Sequence, residues 1–257
     1  MIKKRIIPCL LLKDGRCVKG VNFQNHRDVG HPVTNAKVYD AQGADELIFQ
    51  DIIASTEGHD LAMDTLSEVA AECFMPLTIG GGIKSIEDIY NLLRAGADKV
   101  SINTAAVDRP EFISEAAQKF GKQCLVVAID YKKDKNGESE VFTHSGSKAT
   151  SLKLIEWAKR VWQLGAGEIL LTSIDHEGTR TGYDFETLKE VAKMVDIPVI
   201  ASGGAGSMED LKIAIEDCGA SAVSLSSILH FTDQSVIKAR NYLITQGVKV
   251  RTEANYI

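Results

Sequence analysis

The sequence offers little from which to build a membrane protein, a nucleic-acid binder or a disulfide scaffold. No stretch approaches the ~18 uncharged apolar residues that a membrane helix needs. The short apolar run after Lys3, Lys4 and Arg5 soon meets Lys13 and Asp14, unlike a secretory signal. Basic residues are outnumbered, 29 against 35 acidic, so neither a nucleic acid nor a membrane surface is expected as a partner. The five cysteines (Cys9, Cys17, Cys73, Cys124, Cys218) are odd in number and form no CxxC pair. That disfavours a disulfide framework or a zinc site and fits reduced, cytoplasmic cysteines used as small apolar residues. None lies in the G-x-C-x-G turn that would expose a nucleophile, so the chain is not expected to hydrolyse glutamine itself. His144, His176 and His230 lack metal-ligand spacing and read as surface or loop histidines; no metal or cofactor is expected. No Pro/Gly/Ser-rich linker, charge run or low-complexity tract divides the chain, and residues 1–257 read as a single domain.

What is present is a rhythm. Apolar runs at 5–11, 46–52, 76–79, 98–103, 124–130, 168–174, 198–202 and 222–227 alternate with amphipathic segments such as "SIEDIYNLLRAG" and "SMEDLKIAIEDCG". Those segments space apolar residues at i, i+3 and i+4 and carry acids in the first turn, as helices do. Eight βα units with right-handed crossovers predict an α/β fold, a closed (β/α)8 TIM barrel. The second half also repeats the first. "DELIFQDI" aligns with "GEILLTSI" and "PLTIGGGIKSIED" with "PVIASGGAGSMED", both at an offset of 122, while "GADKVSINT" aligns with "GASAVSLSS" at 123. At an offset of 119, "RIIPCLLL" falls on "CLVVAIDY", which puts Leu11 opposite Asp130.

Barrel enzymes carry their chemistry at the C-terminal strand ends. Asp130 ends the fifth strand and Asp51 the second, and each reads as either a catalytic or a loop-bracing carboxylate. Asp130 is the stronger candidate, because it closes an apolar strand where a charge is costly without a purpose. Glycine stretches at 80–82 and 202–206 each precede an acid-capped helix, and glycine backbone plus a helix N-terminus suits an anion. With "SINTA" (101–105) and "SLSSI" (224–228) beside them, the two halves hold a pair of candidate phosphate cradles, suggesting a small molecule phosphorylated at both ends. Lys19, in the loop after strand one, reads as a basic lid over an anionic ligand or as a solvated lysine. Arg5, Glu46, Lys99 and Glu168 start strands one, two, four and six, a ring of mixed charge that is either a salt-bridge layer or a gate on the barrel axis.

"KRIIPCL", "KDGR", "DELIF", "GGGI", "GADKVSINTAAV", "VVAID", "GAGEILLTSID", "GT..GYD" and "ASGGAG" follow, in order and along nearly the whole chain, the cyclase subunits of imidazole glycerol phosphate synthase in histidine biosynthesis, which the chain therefore resembles. In that family a barrel receives ammonia from a glutaminase docked on its N-terminal face and closes an imidazole ring on a ribulosyl nucleotide with two phosphates. The resemblance implies that Asp130 is one of two catalytic carboxylates and that Lys19 is the lid lysine. It implies that Asp51, Gly82, Asn103, Thr104, Thr172, Gly178, Ser202, Gly203, Gly204, Ser226 and Ser227 surround the substrate and its phosphates, and that Arg5, Glu46, Lys99 and Glu168 form the ammonia gate. Two positions depart from the pattern. Glu177 stands where the family usually has aspartate, and Leu11 where it has its second catalytic aspartate. Leucine transfers no proton, and losing an acid–base group typically costs ~10²–10⁴ in rate.

On that ground the sequence predicts a barrel like the paralogues that accompany sugar amidation in bacterial surface-polysaccharide (O-antigen, lipopolysaccharide) synthesis. Such a barrel would pass ammonia from a glutaminase to a separate sugar amidotransferase and have no sure enzymatic activity of its own. The alternatives are a working histidine-pathway cyclase with a relocated acid, and a sensor that binds a phosphorylated ligand and activates its glutaminase.

Overall fold

The computed structural model describes residues 3–54 and 63–251. The first strand, β1 (Arg5–Lys13), is apolar on both faces because both are covered. Ile6, Leu10 and Leu12 pack outward, while Ile7, Cys9 and Leu11 point to the barrel axis. Asp14 and Gly15 both take positive φ, 51° and 71°, the two-residue turn that Asp-Gly favours. The chain folds back there into an antiparallel hairpin, β2 (Arg16–Val21) and β3 (Gln24–Gly30). The first half continues with α1 (Pro32–Ala41), β4 (Leu47–Asp51), α2 (Met63–Glu72), β5 (Leu77–Gly80), α3 (Ile86–Arg94), β6 (Lys99–Ile102), the short α4 (Thr104–Asp108) and α5 (Glu111–Phe120). The second half runs β7 (Leu125–Lys133), a second hairpin β8 (Ser139–Thr143) and β9 (Lys148–Lys153), α6 (Leu154–Gln163), β10 (Glu168–Ser173), α7 (Phe185–Met194), β11 (Val199–Ser202), α8 (Met208–Glu216), β12 (Ala222–Leu225), the short α9 (Ser227–His230) and α10 (Val236–Thr245).

Strands β1, β4, β5, β6, β7, β10, β11 and β12 pair in parallel, each with the next, and β12 returns to β1. The result is the closed (β/α)8 barrel expected from the sequence. Two hydrophobic clusters hold it. The larger lies between the strands and the helices; the smaller fills the axis with Ile7, Cys9, Ile48, Val126, Ala128, Leu170, Ile200 and Ala222, and Leu11 packs on its upper end.

The internal repeat extends to details of the backbone. α3 and α8 start with the same capping box, Ser85 with Asp88 and Ser207 with Asp210, each pair satisfying the other's backbone N–H. The sequence reading ends strands one and five at Leu11 and Asp130, whereas β1 and β7 run on to Lys13 and Lys133 because each feeds a hairpin.

Candidate active site

At the C-terminal ends of the strands the barrel opens into a cavity of about 700 Å³. All the pocket residues anticipated from the sequence, from Leu11 to Ser227, line it. Their positions follow from strand register. Leu11 sits beside Gln50 of β4, and Asp130 beside Thr172 of β10. Cys9, Ala128, Leu170 and Ser224 lie at the same mouth, one inward step lower on their strands.

Asp130 opens partly to the cavity but is surrounded by protein. Burial pushes its carboxyl up to about 6, against hydrogen bonds from Asn103 and Thr172 that favour the charged form. The Asn103 Nδ2 donates at 2.8 Å. Such a group exchanges its proton near neutral pH. Asp51 is different: its Oδ1 accepts from the backbone N–H groups of Ile53 and Ala54, both at 3.0 Å, so it braces the turn after β4 while facing the cavity.

Lys19 is neither a solvated lysine nor part of a loose lid. It lies on β2 with 2% of its side chain exposed and pairs with Glu177 across the mouth. The hairpin is fastened there. Asn22 donates through its backbone to Glu177 O (2.8 Å) and through Nδ2 to the carbonyls of Ile174 and Asp175 (2.8 and 2.7 Å). A Cβ on Gly178 would stand 2.3 Å from Gly20 O, so a glycine there is what lets the hairpin seat. Burial lowers the Lys19 ammonium to about 8. It also raises the Cys9 thiol to about 11.

Two polar cradles flank Asp130. α4 and α9 start from N-caps of matching, unusual backbone shape: Asn103 at φ −128°, ψ −79° and Ser226 at φ −143°, ψ −83°. Asn103 Oδ1, Ser226 Oγ and Ser227 Oγ are buried without a hydrogen-bond partner among the described residues. Buried polar atoms are rarely left so; all three residues line the cavity, where the serine hydroxyls can donate to an anionic ligand while the Asn103 carbonyl oxygen can only accept. The glycines beside them, Gly81 and Gly82 against Gly203 and Gly204, all have positive φ. The cradles differ in one respect: Thr104 Oγ1 already accepts from the His144 N–H at 3.1 Å, whereas Ser227 is free.

At the opposite end of the axis, the four charged strand-start residues close a ring. Arg5 bonds Glu46 (2.9 Å) and Glu168 (2.7 Å), Lys99 bonds both carboxylates at 2.8 Å, and Thr78 Oγ1 adds a bond to Glu46 at 2.6 Å. Burial would raise the Glu168 carboxyl, but Arg5 and Lys99 hold it below the usual range. Each charge is therefore compensated, which offsets the cost of burying it.

Sequence reasoning missed the groups that the hairpins bring in: His144 and Ser145 from the β8–β9 turn, and Phe23 and His26 from the first hairpin, all on the cavity wall. The Asp-Gly of "KDGR" was a legible hairpin signal. Among the described residues, no cluster of three or more His, Cys, Asp or Glu side chains is disposed to hold a metal ion, and no helix is long and apolar enough to cross a membrane.

Residues 5–235 match the family model described as histidine biosynthesis protein. The chain is also 56% identical over 253 residues to the imidazole glycerol phosphate synthase subunit HisF of Hyphomonas neptunium, covering 98% of this chain and all of that protein. This finding corrects the expectation, drawn from Leu11, of an ammonia conduit serving a sugar-amidating enzyme of surface-polysaccharide synthesis. A single side chain at the mouth is outweighed by identity along nearly the whole length.

Proposed function

The chain belongs to the histidine biosynthesis protein family, and from that premise we propose that it is the cyclase subunit of an imidazole glycerol phosphate synthase. The observation that carries the proposal is the placement of Asp130 between two repeat-related cradles in one cavity, each made of glycines at positive φ beside a short helix with the same N-cap backbone. A ligand with a phosphate at each end, such as the ribulosyl nucleotide, fills both cradles at once and lays its reactive middle across the mouth. There the substrate exchanges water for fixed protein dipoles, and the fastened β2–β3 hairpin limits hydrolysis of intermediates.

Asp130 is the proton-transfer group on its side of the substrate. With its carboxyl near 6, it is largely ionised at pH 7 and acts first as a base. Asn103 and Thr172 orient it. Asp51 holds the β4 turn and, with Gly82, the wall of the first cradle. Thr172, Gly178, Ser202, Gly203 and Gly204 shape the second side.

The ring of Arg5, Glu46, Lys99 and Glu168 is the entry for ammonia from a glutaminase subunit on the N-terminal face. The axis above it is packed with Ile7, Ile48, Val126 and Leu170, an apolar path that suits neutral ammonia and excludes ammonium. The four side chains span the axis in this structure, so passage requires one of them to swing aside. One domain, residues 1–257, performs all of this, in a reducing cytoplasm that suits its five free cysteines.

Formation of imidazole glycerol phosphate by the purified chain, supplied with the ribulosyl nucleotide and ammonium at saturating substrate, tests the proposal. Turnover without a partner is the expected result; complete absence of product refutes it.

A further inference from the structure

Cyclisation moves protons on two sides of the substrate. When ammonia adds to the carbonyl carbon, nitrogen gives up a proton and the oxygen gains protons to leave as water. When the ring closes, a C–N bond breaks, and the departing nitrogen keeps the electron pair and takes a proton. Both an acceptor and a donor are required. Asp130 supplies one side, while Leu11, at the corresponding place on β1, can neither give nor take a proton.

The cavity holds another proton donor close to Leu11. β2 runs antiparallel to β1 with Val18 paired to Leu11, and Lys19, the next residue on β2, lines the same cavity as Leu11. Lys19, Asp130 and Cys9, the next inward-facing residue below Leu11, line that cavity together. Lys19 is also buried, and its counter-charge Glu177 comes from a different part of the fold, the loop after β10, and lines the same cavity. Glu177 compensates the buried ammonium, as a counter-charge does at any buried lysine, and as a carboxylate it can also carry a proton to it.

We propose that the Lys19–Glu177 pair is the acid–base group on the Leu11 side of the site, Lys19 giving its proton to the departing nitrogen and Glu177 passing the replacement from solvent. This rests on the cyclase reading above. In the transfer an Nζ–H bond breaks, its electron pair stays on Nζ, and the neutral amine regains a proton through Glu177, so nothing else is consumed. The groups facing Lys19 are Cys9 from β1, His26 from β3, Glu177 after β10 and His230 of α9. Burial and Lys19 together hold His230 near 4, so it stays neutral through the working range; Asp130 has Cys9 as its own titratable neighbour.

The test measures kcat and KM for the ribulosyl nucleotide at constant free ammonia from pH 5.5 to 9.5. It compares the natural chain with Lys19→Arg, Lys19→Met, Glu177→Gln and the double variant Leu11→Asp/Lys19→Met. For the natural chain, kcat rises through about 6 as Asp130 ionises and falls through about 8 as Lys19 loses its proton. Lys19→Arg keeps the charge but gives no proton at these pH values, so kcat drops ~10²–10⁴-fold with KM little changed and the alkaline fall disappears. Lys19→Met loses as much, and the double variant recovers at least tenfold over it because a carboxylate again occupies position 11. Glu177→Gln retains part of kcat and shifts the alkaline fall. If the natural chain turns over but Lys19→Arg keeps its kcat and alkaline fall, Lys19 is only an anchor and this proposal fails while the cyclase reading stands. If the natural chain makes no product, both fail.

Discussion

In the first half of the barrel, β1 reaches the mouth with Leu11, stacked above Cys9 and Ile7; in the second, β7 reaches it with Asp130, above Ala128 and Val126. Around these two unlike side chains the halves share their framework. Capping boxes open α3 and α8, left-handed glycines precede both, hairpins follow β1 and β7, and α4 and α9 begin from the same unusual N-cap conformation. What persists in both halves is what the backbone demands. A capping pair or a glycine at positive φ has few substitutes, whereas a side chain pointing into an open cavity is free to change without disturbing the fold. The Asp130 carboxyl sits near 6 chiefly through burial, not through a neighbouring charge.

The comparison breaks most sharply at Asp130. Asp130→Asn should cut imidazole glycerol phosphate formation ~10²–10⁴-fold while leaving the thermal midpoint intact, since the amide still fits beside Asn103. Next come the repeated glycines, which are alike in φ but not in what surrounds them. A Cβ on Gly204 would stand 2.1 Å from Gly182 O, whereas one on Gly82 would meet only the Ala54 methyl, at 2.7 Å. Denaturant titration should therefore find Gly204→Ala destabilised by about 3 kcal/mol and Gly82→Ala by about 1–2 kcal/mol.

Making the halves alike at the mouth has a smaller effect. In Leu11→Asp, two carboxylates face one cavity, and the second to ionise is disfavoured by the first. The acid limb of the rate profile, set by Asp130 near 6, should move to higher pH by about one unit; an unmoved limb would show that the two positions do not share a field. The smallest contrast lies in the cradles. Ser226→Ala removes a hydroxyl that has no protein partner, and Thr104→Ala one already engaged by His144. KM should rise about 5–10-fold for the first and about twofold or less for the second, the difference of one hydrogen bond worth ~1 kcal/mol.

The barrel was legible because its signals are local and repeated. Eight apolar runs, their acidic helix starts and the 122-residue offset all appear without knowledge of contacts, and each marks a strand in the fold. The pocket residues were legible for the same reason, since residues at strand ends converge once the barrel closes. The inference from Leu11 to a sugar-amidation role erred by treating one position as decisive when the rest of the chain follows the cyclase pattern. The state of Lys19 was not legible. Nothing in "KDGRCVKG" reveals that the lysine will be buried, because the cover comes from Glu177 and Gly178, about 160 residues away in sequence.

By itself the sequence determined the eightfold alternation, the duplicated halves and the candidate residues at the strand ends. It could do so because periodicity, caps and glycine turns act over a few residues. Only the tertiary structure decided which charges are paired, which are exposed and which are desolvated: the ring that joins Arg5, Glu46, Lys99 and Glu168, the raised carboxyl of Asp130, and the hairpin that carries Lys19 under Glu177. Those properties depend on the distance to opposite charge and to water, and barrel closure sets both by bringing together strands that are far apart in the chain.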